Sequence, residues 1–405
     1  MNNKKTEVIL YEPEFRINIT DNMVSVGSCF SDEISGILEK KSVCILSNPF
    51  GTIYNCHSIH NVFDAIFTCK KYATGDLVFE SGKYVSMDHA TFFDSDHSEK
   101  ALSLINASIS KSFAYFNNAD VFIITPGTSV VYVYKKTGNI AANCHKLPHE
   151  LFERKILSVE ENANLLRDTV KLIRSRRPDA KIIFTLSPIR HTPQDPVENG
   201  LSKSFLRSAI AEVVAETKTA YFPSYEILMD ELRDYSFYKK DGVHLKKKTI
   251  GEIIDRFIRN FFAGNFLAFI NEYENCSAFL LHNPSNPGSI EYLKALKKNF
   301  EKLCGLDKIK KSPVIEKDII ISVIRMIDNS YECSLESLVD SQLKKFLVLL
   351  IGILVKGEPV LDEEALKYEN RYYKKLGKVK RRIMAAYYRN IGEFKKSTEI
   401  MFGKE

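Results

Sequence analysis

No CxxC or CxxxC pair occurs among the eight cysteines of this 405-residue chain. That excludes the usual zinc-binding spacings and a close-set disulfide framework, so no metal is expected and the thiols are expected to be reduced. Long apolar runs are lacking too. The longest, Phe346 to Val355, is about half of the ~20 residues a membrane span needs. No apolar core follows Lys4 and Lys5 of the kind a secretory leader carries. Internal repeats and low-complexity tracts are absent. A strong charge of one sign is missing as well: the formal net charge is +6, and the excess gathers near the C-terminus. There the stretch from Tyr368 through Lys378-Val-Lys-Arg-Arg382 to Arg389 interleaves tyrosine with basic residues. It reads as a solvated helix face, with binding to nucleic acid or an anionic glycan as the lesser alternative. Nucleic acid is therefore not an expected partner, and a soluble, cytoplasmic protein is.

What is present centres on Asp21-Asn-Met-Val-Ser-Val-Gly-Ser-Cys-Phe30. Met23, Val24 and Val26 read as a short buried strand that Gly27 ends. Ile34, Ile37 and Leu38 then share a helix face, after Ser31, Asp32 and Glu33 as cap and acidic first turn. Ser28 and Cys29 thus fall where a strand becomes a helix, beside free N–H groups and the positive end of the helix dipole, a setting that tolerates an oxyanion. A plain helix cap is the alternative reading of this stretch.

The remaining chain alternates. Strands are expected at 43–46, 119–125, 130–134, 181–186 and 220–222, with helices near 59–66, 98–117, 158–176, 202–217 and 250–257. Residues 77–93, with a Ser81-Gly82 turn, read as a hairpin on one edge. Such alternation predicts an α/β fold with parallel strands and helices on both faces, whose site lies at the carboxyl ends of the strands. From about residue 263 strands vanish while helical periodicity continues. The expected organisation is a catalytic domain over 1–262 and an all-helical C-terminal domain over 263–405, of unknown role.

Asp241-Gly-Val-His244 stands at the head of the last helix of the first domain. At this spacing the carboxylate can hold one ring nitrogen while the other faces the crevice, as the base of a serine nucleophile requires. An incidental surface Asp-Gly turn is the alternative.

The ordered segments Val26-Gly-Ser-Cys-Phe30, Asn48-Pro-Phe-Gly-Thr-Ile-Tyr-Asn55, Pro126-Gly-Thr128, Asn143-Cys-His-Lys146, Phe184-Thr-Leu-Ser-Pro-Ile-Arg-His191, Glu198-Asn-Gly-Leu-Ser-Lys203 and Asp241-Gly-Val-His244 resemble the GSCFA family. This family belongs to the SGNH (GDSL-like) hydrolase superfamily. Further matches are Tyr221-Phe-Pro-Ser-Tyr-Glu226, Asp230-Glu-Leu-Arg-Asp234 and Phe237-Tyr238. The resemblance covers roughly 20–260 and implies a three-layer α/β/α, flavodoxin-like parallel sheet. It also implies Ser28 as nucleophile and His244 as base, oriented by Asp241. The N–H of Gly51, with that of Ser28, would form an oxyanion hole. The superfamily's Gly-x-Asn-Asp is Pro126-Gly-Thr-Ser129 here, leaving Thr128, Ser129 or Asn143 as the third donor.

Cys29 reads as a packing residue, with a thiol nucleophile as the alternative. Asn143, His145, Arg190 and His191 either bind an anionic substrate or CoA phosphate or brace their loops. Three functions stay open: an acyl-ester hydrolase, an O-acyltransferase with a sugar hydroxyl as acceptor, and a non-catalytic binding module in polysaccharide assembly. The expected substrate is an acylated or acylatable glycan. No cofactor is expected, apart from acyl-CoA as donor in a transferase, and the oligomeric state is left open.

Overall fold

The computed structural model describes residues 6–191, 195–282 and most positions of 284–325. The apolar run at 346–355 and the basic stretch at 368–389 lie outside the described residues. In chain order the first elements are β1 (Met23–Gly27), α1 (Cys29–Lys40), β2 (Ile45–Ser47), α2 (Cys56–Phe67), β3 (Val78–Glu80), β4 (Lys83–Val85) and α3 (Ser98–Asn117). Next come β5 (Val121–Thr125), β6 (Val130–Tyr134), β7 (Ile140–Ala141), β8 (Phe152–Ile156), α4 (Val159–Arg176) and β9 (Lys181–Thr185). Then follow α5 (Pro196–Glu216), β10 (Ala220–Phe222), the short α6 (Ser224–Glu226), α7 (Lys247–Phe261), α8 (Gly264–Leu281) and α9 (Ile290–Ile309). The chain divides into two compact units, Met1–Ala268 and Phe269–Glu405.

The first unit is an α/β fold around a five-stranded sheet in the order β10-β9-β5-β1-β2, with every pairing parallel. Uniformly apolar strands such as Val121–Thr125 are buried throughout, as strands covered on both faces must be. On one face Val24, Val26, Phe122, Ile124, Ile182 and Phe184 share a core with apolar residues of α2, α4 and α5, among them Ile59, Leu166 and Leu206. On the other, Phe222 meets Phe257 of α7, with ring centroids 5.2 Å apart. The strand order reverses between β1 and β5, and such a reversal opens a crevice at the carboxyl ends of the two strands. Ser28 is the residue at that point.

Three expectations need correction. The hairpin Val78–Val85 is not on an edge of the main sheet; β3 and β4 form a two-stranded sheet of their own. Residues 130–134 likewise leave the parallel sheet, as β6 lies between β7 and β8 in an antiparallel three-stranded sheet. The helix expected from 202 begins at Pro196, because Asp195 accepts from the Glu198 N–H at 2.9 Å and Pro196 occupies the first turn.

The two ends of the first unit meet. The Ile17 N–H donates to the Phe261 carbonyl at 2.7 Å, and the Ala263 N–H donates to the Ile17 carbonyl at 2.9 Å. In the second unit the described elements are helical. Tyr273, Leu280, Leu296, Leu303 and Ile315 are buried there, and the Tyr273 hydroxyl donates to Asp318 at 3.0 Å. Among the described residues no helix is long and apolar enough to cross a membrane.

Candidate active site

Ser28 caps α1 directly after β1, in extended conformation. Its side chain makes no capping hydrogen bond. The residue is 1% exposed, and Oγ has no hydrogen-bond partner. Thr125 Oγ1, at the end of the neighbouring strand, is orphaned in the same way. Buried hydroxyls normally find a partner, so two orphans together at the strand reversal make this the candidate site. Gly127 forms the near wall. A Cβ at 127 would lie 3.2 Å from Ser28 Cβ and 3.4 Å from Tyr54 Cδ1.

Asp32 ties this turn to the segment after β2. Its carboxylate accepts from Ser47 Oγ at 3.1 Å, Asn48 Nδ2 at 2.7 Å and Thr52 Oγ1 at 2.8 Å. Asn48 Oδ1 in turn accepts from the Gly27 N–H at 2.8 Å. Four polar groups thus set the position of the loop that carries Gly51 against the nucleophile turn. In the sequence Asp32 reads only as a first-turn acid, and nothing local signals the clamp it forms with Ser47, Asn48 and Thr52.

The expected oxyanion pair is not available as assigned. The Ser28 N–H donates to the Thr125 carbonyl at 2.9 Å, extending the β1–β5 ladder by one residue. The Gly51 N–H donates to the Asn48 carbonyl at 2.8 Å, closing its own turn. Two of the three candidates for a third donor are also engaged. Thr128 Oγ1 lies 3.0 Å from Ser202 Oγ, while the Ser129 N–H donates to Ser202 Oγ at 2.8 Å and Ser129 Oγ donates to the Ser202 carbonyl at 2.9 Å. Both residues anchor α5. Asn143 accepts through Oδ1 from Thr91 Oγ1 and the His145 N–H, which leaves its NH2 without an acceptor among the described residues. The first-turn N–H groups of Cys29 and Phe30 have no acceptor within the helix.

Asp241 and His244 pair as their spacing predicts. Asp241 Oδ2 lies 2.9 Å from His244 Nδ1, and Oδ1 accepts from the N–H groups of Val243 and His244, each at 2.9 Å. These two backbone donors, then the imidazole, hold the Asp241 carboxyl down at about 2. The pair sits on a turn closed by the Tyr238–Leu245 bridge, with His244 54% and Asp241 47% exposed. Ser28 Oγ reaches no partner, so the expected Ser28–His244 hydrogen bond is not formed in this structure. The Asp241–His244 pair is thus formed, on a turn that is about half exposed, without a link to Ser28.

Cys29, next to Ser28, is half-buried. Burial and then the Asp32 carboxylate raise its thiol, which argues against a thiolate at this position. His191 lies with its ring 5.0 Å from that of Tyr54. Burial, then Lys203, push the imidazole down to about 4, so it is neutral. Arg190 makes no hydrogen bond or ion pair among the described residues and stands near Tyr225 and Tyr238. His145 is a brace: its two ring nitrogens meet Asp94 Oδ1 at 2.7 Å and the Ser86 carbonyl at 2.9 Å. Lys203, which sequence reasoning quoted within a motif but gave no role, is fully buried, and its Nζ donates to the Ser187 carbonyl at 2.6 Å.

His89, stacked on Phe50 with centroids 4.0 Å apart, is pushed down to about 3 by burial. Its folded-state value lies below that of the unfolded chain, so the unfolded chain binds the extra proton first. Stability is therefore complete above pH ~6.5 and is lost as pH falls toward 3, by about 2 kcal/mol from His89 at pH ~5. A thermal-unfolding series between pH ~7 and ~5 should show this loss, and a His89→Phe variant should flatten it.

The GSCFA family profile matches residues 22–257. No curated protein matches at a significant level. Solved structures similar to this chain include a protein described as a GDSL-like lipase from Parabacteroides merdae, at 12% identity and a TM-score of 0.35. That match covers 61% of this chain and 98% of the other. An acetyl xylan esterase from the rumen bacterium Butyrivibrio proteoclasticus matches at 9% identity and a TM-score of 0.31, over 63% of this chain and 66% of that one. Likenesses of this size decide neither activity nor substrate.

Proposed function

The chain belongs to the GSCFA family, and from that premise we propose that it performs serine-dependent acyl-ester chemistry on an acylated or acylatable glycan. The observation that carries this reading is Ser28: a buried, unpartnered hydroxyl at the strand reversal and at the N-terminus of α1. In this reading His244 Nε2 takes the Ser28 proton as Oγ attacks the acyl carbon, and Asp241 holds the imidazole by Nδ1. His244 later returns that proton to the leaving oxygen. The first-turn N–H groups of α1 and the Asn143 amide are the donors left for the oxyanion. Closing the Ser28–His244 gap requires the turn from 238 to 245 to move inward over bound substrate, and catalytic hydrogen bonds are often long before substrate binds. Arg190 is placed to meet an anionic part of the substrate or the phosphate of acyl-CoA. Water or a sugar hydroxyl can resolve the acyl-serine, and the triad serves both. No disulfide joins the described cysteines, which supports a cytoplasmic protein.

A non-catalytic binding module is the second reading, and the open Ser28–His244 link favours it. One assay separates the three. The purified protein is incubated with aryl acetates, with and without acetyl-CoA and candidate sugars, and in parallel with a fluorophosphonate. Turnover and a label on the Ser28 peptide support the enzyme, and acceptor-dependent product selects transfer over hydrolysis. A fully folded protein with neither turnover nor label is the binding module.

A further inference from the structure

Lys203 lies where a lysine is costly. It is 1% exposed, and Nζ has the Ser187 carbonyl at 2.6 Å and the Tyr225 ring centroid at 5.9 Å. Among the described residues no carboxylate pairs with it, and a buried charge without a counter-charge is destabilising. Its position follows the wall of the candidate site. The Ser187 N–H donates to the Pro126 carbonyl at 3.0 Å, and Pro126 precedes the Gly127 that abuts Ser28. Its neighbour Ser202 grips Thr128 and Ser129 on the same wall. Cys29, the first residue of α1, and His191 both interact electrostatically with it. The hydrogen-bonded chain from Lys203 thus runs through Ser187 and Pro126 to the glycine against Ser28, and the sign of an ammonium is opposite to the charge that forms on a carbonyl under attack.

We propose that Lys203 is a positioning residue whose buried ammonium, acting through the Ser187–Pro126–Gly127 wall, stabilises the negative charge that develops on the acyl carbonyl oxygen when Ser28 attacks. This rests on the serine-ester reading above. In the step concerned, the bond from Ser28 Oγ to the acyl carbon forms and the hydroxyl proton passes to His244. The ester C–O bond then breaks, and the proton leaves with the alcohol. Lys203 gives up no proton and supplies field alone, which a low-dielectric surround makes effective.

Burial pushes the Lys203 amine down to about 7, with Cys29 acting in the opposite direction. The groups that face it are Cys29 of α1, His191 before α5 and Tyr225 of α6. Arg154 of β8 and Glu198 of α5 act on His191, and Asp32 acts on Cys29. Below pH ~7 the side chain is charged and its contribution is present; above, it is lost.

The test uses the full chain and an aryl acetate, with kcat and KM measured for wild type, Lys203→Met and Lys203→Gln at pH ~6 and ~8.5. At the lower pH both variants should lose about 10²-fold in kcat with KM nearly unchanged, and at the higher pH the ratio to wild type should shrink to about 3-fold or less. The wild-type kcat itself should decline above pH ~7. Gln keeps a donor for the Ser187 carbonyl, so a mere brace would be rescued by it and its ratio would not move with pH. That outcome, or a wild-type profile level across the range, overturns the assignment. Should neither variant fold, the wild-type profile still decides. A wild type that neither turns over nor takes a fluorophosphonate overturns the serine-ester reading itself, and is distinguished from the failure of Lys203 alone.

Discussion

Ser28→Ala is expected to lose about 10⁴-fold or more in kcat on an aryl acetate, with no loss of stability. The catalytic half follows from chemistry: without the nucleophile only oxyanion donors and binding remain. The stability half follows from the structure. Ser28 Oγ makes no capping bond and no other hydrogen bond, and it is buried. Removing an unsatisfied buried hydroxyl relieves a desolvation cost and forfeits nothing. The variant should therefore melt at or above the temperature of the wild type, which separates lost chemistry from lost fold. His244→Ala should cost a similar factor, and the double variant little more, since the two residues act as one unit. His244 is exposed, and among the described residues its ring meets Asp241 alone, so that substitution too should spare the fold. Single-turnover kinetics with thermal melting on the three proteins is the measurement. Wild-type activity in Ser28→Ala, or an acyl adduct mapped to Cys29, would refute the assignment.

Gly27→Ala should be the most damaging single methyl in the first unit. Gly27 has φ of +149°, and a Cβ there would stand 2.2 Å from the Thr125 carbonyl oxygen and 2.7 Å from its carbon. Both are backbone atoms of the central strand, so neither can swing aside. Relief requires β1 and β5 to part at their carboxyl ends, which breaks the Ser28–Thr125 hydrogen bond and moves Asn48 off the Gly27 N–H. A loss of about 3 kcal/mol or more is expected, read as a lower midpoint in urea. A variant that unfolds with wild-type midpoint would show that the sheet end is looser than its contacts imply.

Legibility in the sequence followed how local each signal was. β1 and β5 could be read because strands buried on both faces are apolar throughout. β8, Phe-Glu-Arg-Lys-Ile, could not, since three exposed charged residues at its centre look like a loop. The Asp241–His244 pair was legible because three residues span the whole contact. The oxyanion donors were not, because the Ser28 and Gly51 N–H groups are claimed by Thr125 and Asn48, and only the assembled sheet end decides that. Lys203 follows the same rule: a lysine on a helix reads as solvated until the strands that bury it are in place.

The bond between Ile17 and the segment 261–263 has a consequence for how the protein comes into being. A ribosome delivers the Ser28 turn early, yet its partner strand arrives only with Thr125, the Asp241–His244 pair only with His244, and the clasp on the N-terminal segment only after Phe261. A nascent chain thus carries Ser28 on an unfinished sheet through most of its synthesis. Under the serine-ester reading, a chain stopped before His244 holds Ser28 without its base, and such a product is expected to be inert toward esters.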